Sequence, residues 1–153
     1  MTTSPVPAYQ AFYPPIAVLG LTLSGVRLYN NVDNDEYTIT YYSIWELVGT
    51  PRGASIGLIS LIILGSFVAI SAYMYLRPPT SPVLPIIAST LAALAALMLT
   101  FKAGASNLVP ATLSDGGRMM FVLTWASCVF TAVHAAHILF AKRRYWPEAP
   151  VSN

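Results

Sequence analysis

Charged side chains are scarce in this chain. Eight basic and six acidic residues make up 9% of its 153 positions, where a soluble globular protein carries about 25%. A soluble domain of this size needs a charged surface, and so few charges cannot supply one. The shortage excludes a soluble enzyme, a nucleic-acid binder and a disordered chain. Cysteine is nearly absent too. Cys128 stands alone, so an intramolecular disulfide is excluded. No Asn-x-Ser/Thr acceptor occurs. Residues 1–26 hold no Lys or Arg, which argues against a signal peptide with its basic leader.

Hydrophobic residues fill 56% of the chain and the mean hydropathy is +0.61. The expectation is an integral membrane protein. A crossing helix needs about 20 apolar residues. Gly53 to Leu76, Pro78 to Phe101 and Met119 to Ala141 meet that length without a formal charge. A weaker fourth stretch runs from Ile16 to Val26 and closes on Arg27, Leu28 and Tyr29. Tyr9, Phe12 and Tyr13 precede it as interfacial aromatics, and Pro14 and Pro15 suit a helix start. A short interfacial helix is the rival for this segment. The sequence therefore predicts one all-α membrane domain, a four-helix bundle. Its spans are placed at 12–29, 53–76, 81–101 and 119–141, with outer loops 30–52 and 102–118 and a tail at 142–153.

Orientation follows the basic residues next to span ends. Lys142, Arg143 and Arg144 directly follow the last span, with Tyr145 and Trp146 behind them as an aromatic anchor. This places both termini in the cytoplasm of a plasma membrane. The Ala-rich, Arg-over-Lys composition leans toward a bacterial source. Five of the six acids, Asp33, Asp35, Glu36, Glu46 and Asp115, then lie outside.

The first outer loop is the most individual segment. Asn30 to Glu36 is a polar turn-forming run. Its alternating Asn31, Asp33 and Asp35 imitate calcium-loop ligands. Glu36 and Tyr42 stand where that loop needs Gly and Glu, so a solvated turn is expected instead. Tyr37 to Trp45 alternates β-branched and aromatic residues and predicts a strand. Tyr41, Tyr42 and Trp45 are read either as an interfacial belt or as a docking patch for a partner. In layout alone the chain resembles small four-span families such as the claudins. Their Gly-Leu-Trp motif and cysteine pair do not occur here, and the resemblance implies no activity and no residue role. In the second outer loop, Ser114-Asp115-Gly116-Gly117-Arg118 predicts a turn and helix start.

Ionisable residues inside spans are the usual pointers to membrane function. No Asp, Glu, Lys or Arg occupies the middle of a predicted span, which argues against an autonomous transporter. His134 and His137 are the exception. Three residues apart on one helix, they cannot ligate opposite faces of one haem, and the chain has no other histidine. They are candidates for contact with a quinone or a cofactor shared with a partner. The plainer reading is polar residues near the headgroups. No metal motif, nucleophile–base pair or paired carboxylate is present, so neither an enzyme nor a cofactor of its own is expected.

Small residues recur at helix-packing spacing: Ala88, Ala92 and Ala96; Gly53 and Gly57; Gly65 and Ala69; Ser127, Thr131 and Ala135. Span three is small on more than one side, which makes Ala88, Ala92 and Ala96 candidate partner contacts. The resulting expectation is a non-catalytic accessory subunit of a larger membrane complex, in contact with lipids and other integral subunits and not with nucleic acid. Two alternatives are a transport or lipid-handling component active as an oligomer, and a redox subunit sharing a cofactor through His134 or His137.

Overall fold

The computed structural model describes residues 9–28, 32–34, 37–39, 43–49, 54–100 and 113–144. Tyr41 and Tyr42 lie outside the described residues. Among the described residues there are five helices: α1 (Tyr13–Gly25), α2 (Ile44–Val48), α3 (Ala54–Leu76), α4 (Val83–Thr100) and α5 (Asp115–Arg144). Between α1 and α2 a minimal ribbon pairs β1 (Val32–Asn34) with β2 (Tyr37–Ile39), antiparallel, with Val32 opposite Ile39. Two helices, Ala54–Leu76 and Asp115–Ala141, are long and apolar enough to cross a membrane, and Val83–Leu99 is apolar but shorter.

Local chemistry explains the ends of these helices. Pro14 and Pro15 fall in the first turn of α1, where a missing N–H costs no intrahelical bond. Val26 leaves the helix with ψ at 142°, and the chain runs on extended. Arg77-Pro78-Pro79 stops α3, and α4 starts straight after Pro82. Ser114 starts α5. Its hydroxyl accepts the N–H of Gly117 at 3.0 Å and donates to the carbonyl of Arg27 at 2.7 Å. The helix therefore begins at Asp115, four residues before the expected Met119, and continues through Arg144.

The strand expected over Tyr37 to Trp45 is corrected at its end. Ile44 and Trp45 belong to α2, because Ser43 caps that helix by accepting the N–H of Glu46 at 3.3 Å. Ser43 and Glu46 stand at the spacing of a capping box, a local helix signal that overrides the alternation.

Packing joins α1 to α3 and α4 to α5, with α3 meeting α4 in the middle. One core cluster gathers Tyr13, Ile16, Phe67, Met74, Ala88 and Ala92. A second gathers Leu23, Leu28, Ile44, Leu64, Ala95 and Leu99. Polar side chains share this apolar interior, and long aliphatic side chains also cover much of the outside. Ser60, Ser71, Thr124, Ser127, Thr131 and His134 are buried, while Leu58, Ile62, Leu76, Val122, Val129 and Phe140 are exposed. Most of the buried hydroxyls donate to a carbonyl one turn earlier, as Ser60 does to Ile56 and Thr131 to Ser127. Hydroxyls and small residues thus sit between helices beside the apolar core, and many further long aliphatic side chains cover the outside.

Candidate functional site

The two histidines lie where α5 passes the start of α1. Aromatic rings meet at this point: Tyr9 and Phe12 from the segment leading into α1 and Tyr13 from its first residue, with Phe130, His134 and His137 from α5. Tyr9 stacks face to face on His134, with centroids 4.3 Å apart and planes 6° from parallel. The Tyr13 hydroxyl and His134 Nδ1 share a hydrogen bond of 2.5 Å, and either can donate according to the imidazole tautomer. Tyr9 also meets His137 edge-on at 5.5 Å, with its hydroxyl 3.5 Å from Nδ1, the outer limit of a hydrogen bond. Phe130 completes the group, 5.2 Å from Phe12 and 5.9 Å from Tyr13.

This geometry separates the two histidines chemically. His134 is 4% exposed. One ring face is covered by Tyr9 and Nδ1 is engaged by Tyr13, so it serves as a fixed joint between α1 and α5. His137 is exposed and keeps Nε2 open to the surroundings. Among the described residues, no three His, Cys, Asp or Glu side chains gather as a metal site. Cys128 is half-buried, with its sulfur 3.4 Å from the Ser89 hydroxyl, which also donates to the Cys128 carbonyl at 3.0 Å. That contact ties α4 to α5.

The other candidates separate in the same way. Ala88, Ala92 and Ala96 are each 0% exposed. The stripe is spent on packing inside the chain, which removes it as a free partner face. Ser127, Thr131 and Ala135 are buried as well. Gly57 is filled from within, because a Cβ there would press on the backbone of Val48 in α2. Gly65 and Ala69 point outward instead, and nothing lies within 4 Å of where a Gly65 Cβ would stand. Trp45 is 61% exposed and donates its indole N–H to the Ser24 hydroxyl at 3.1 Å.

The tyrosine partners of the histidines escaped the sequence reading. His134 and His137 lie three apart on one side of α5, and Tyr9, four residues before Tyr13, precedes α1 and reaches the same point. Two polar–aromatic pairs in apolar segments were the available signal. Beside this cluster, α1 and α5 diverge to leave a groove of about 500 Å³, lined among others by Phe12, Ile16, Leu19, Met119, Leu123 and Phe130. Comparison with family models, curated proteins and solved structures finds no match to this chain.

Proposed function

We propose that this chain is a non-catalytic, four-span subunit of a larger assembly in a bacterial plasma membrane, docked through the outward face of α3. The observation that carries the proposal is the unfilled notch at Gly65. Along the same side of α3 stand Ala69 and Ala72, both exposed. Helices in hydrocarbon gain little from burying apolar surface against each other, and associate where small residues let backbones approach. The other small stripes are consumed inside the chain, and this one remains.

The many exposed aliphatic side chains, together with hydroxyls buried between helices, support the membrane location. A fourth crossing is supported by the position of α1. Thirteen helical residues rise about 20 Å, short of a hydrocarbon core of about 30 Å. Yet Tyr9 is level with His137, and the carbonyl of Leu28 accepts the N–H of Ser114 at 3.0 Å. The segment from Tyr9 to Leu28 therefore traverses the same thickness as α5 from His137 to Ser114. Lys142 to Arg144, at the end of α5, orient both termini to the cytoplasm.

Gentle detergent extraction, with mass spectrometry of the co-purifying proteins, tests the assignment. Partner subunits are expected with the wild-type chain. Gly65→Leu is expected to lose them, while Val122→Leu, on the outward face of α5, retains them. A wild-type chain that purifies alone overturns the proposal.

A further inference from the structure

The outward side of α3 carries a second pattern besides the docking stripe. Its long aliphatic side chains Leu58, Ile59 and Ile62 are exposed, and further along Tyr73, Tyr75 and Arg77 are exposed too. The Arg77 guanidinium stands 6.0 Å from the centroid of the Tyr73 ring, the outer limit of a cation–π contact. The stripe of Gly65, Ala69 and Ala72 ends where these tyrosines begin. Other segments bring polar rings to the same level. Gln10 donates its side-chain amide to the carbonyl of Tyr75, and Tyr9 next to it meets His137 of α5. One end of the bundle thus presents Tyr73, Tyr75, Arg77 and His137 outward.

Trp45 marks the opposite end. Its indole N–H is spent on Ser24, near the end of α1, and its ring remains exposed. Val48, three residues on in α2, lies against Gly57 near the start of α3. From Gly57 to Tyr73 is sixteen helical steps, about 24 Å, and to Arg77 twenty, about 30 Å. The hydrocarbon core of a bilayer is about 30 Å thick. Along α5, Arg118 to His137 is nineteen steps, about 28 Å. Between Gly57 and Tyr75 of α3, throughout α4, and between Arg118 and His137 of α5, no Asp, Glu, Lys or Arg occurs. Amphipathic rings concentrate at the two headgroup layers, and arginine keeps its charge there while its stem lies in hydrocarbon. We propose that Trp45 lies in one headgroup layer and that Tyr73, Tyr75 and Arg77 lie in the other. Lipid headgroups are then the partners of these exposed side chains, and they hold the bundle at one depth. A protein-docking patch at Trp45 needs no matching rings one hydrocarbon thickness away.

This inference rests on the membrane location proposed above, and the two can fail separately. Single-tryptophan chains are reconstituted in phosphatidylcholine vesicles. The acyl chains carry bromine either next to the headgroup or close to the terminal methyl, so that quenching of fluorescence reports depth. Trp125→Phe with Trp146→Phe leaves Trp45 alone. Adding Trp45→Phe and Tyr73→Trp moves the probe to the other level, and Tyr75→Trp replaces Tyr73→Trp if that chain does not fold. Val129→Trp is the reference for the interior, since Val129 is exposed on α5 eight steps, about 12 Å, from His137. Trp45 and Tyr73→Trp are expected to lose most fluorescence to the shallow bromines, and Val129→Trp to the deep ones. Val129→Trp that neither lipid quenches overturns the membrane location itself. Where Val129→Trp is quenched, a Trp45 or Tyr73→Trp dimmed most by the deep bromines overturns the anchoring. So does one that no bromine reaches, which places that ring in water or against protein.

Discussion

A methyl group on Gly117 would drive into the carbonyl of Leu28. The first turn of α5 is seated directly on the extended end of α1, backbone on backbone, at the point where Ser114 bonds to Arg27 and Leu28. Gly117→Ala is therefore expected to destabilise the protein by about 1–3 kcal/mol. Thermal unfolding in detergent reads the change, and an unaltered midpoint would remove the seat from the argument.

Ser71 predicts the opposite sign. Its hydroxyl is the one buried side-chain oxygen without a partner among the described residues. A buried orphan costs about 1–3 kcal/mol, so Ser71→Ala is expected to raise the unfolding midpoint. A lower midpoint would mean that the hydroxyl is bonded in the folded protein.

Tyr13→Phe leaves His134 Nδ1 buried and unpaired, at an expected cost of about 1–3 kcal/mol. His134→Phe removes the other half of the pair. In a double-mutant cycle the two changes are expected to couple, with the double variant losing less than the sum. Strict additivity would show that the bond contributes nothing.

Topology is testable from opposite ends of α3. In a Cys128→Ala background, an impermeant maleimide on intact cells is expected to label Glu46→Cys. Thr80→Cys, in the proline-rich turn, is expected to react only after permeabilisation. Labelling of both from one side breaks the four-span arrangement.

Much of this architecture is legible in the residues. Apolar length locates α3, α4 and α5, the Arg77–Pro79 run locates the turn between the first two, and Ser114 marks a helix start. What hydropathy cannot show is which face of such a helix turns inward, because both faces are apolar. Ala88 and Gly65 carry the same small-residue signature, yet one is buried and the other open. The difference is set by neighbours far along the chain. The short α2 was legible through Ser43 and Glu46, but aromatic alternation outweighed that cue. The ring cluster was hidden for a different reason. Its halves come from opposite ends of the chain, and no local pattern joins Tyr9 to His134.

That separation bears on how the protein is made. Tyr13 and His134 are 121 positions apart, in α1 and α5. As the chain leaves the ribosome, α1 can settle against α3 long before α5 exists. Until α5 arrives, the Tyr13 hydroxyl has no imidazole to meet, and the flank of α1 stays uncovered. A chain cut short before His134 keeps both defects permanently. The aromatic joint thus marks completion, distinguishing a finished chain from a truncated one by a polar group left unpaired between the helices.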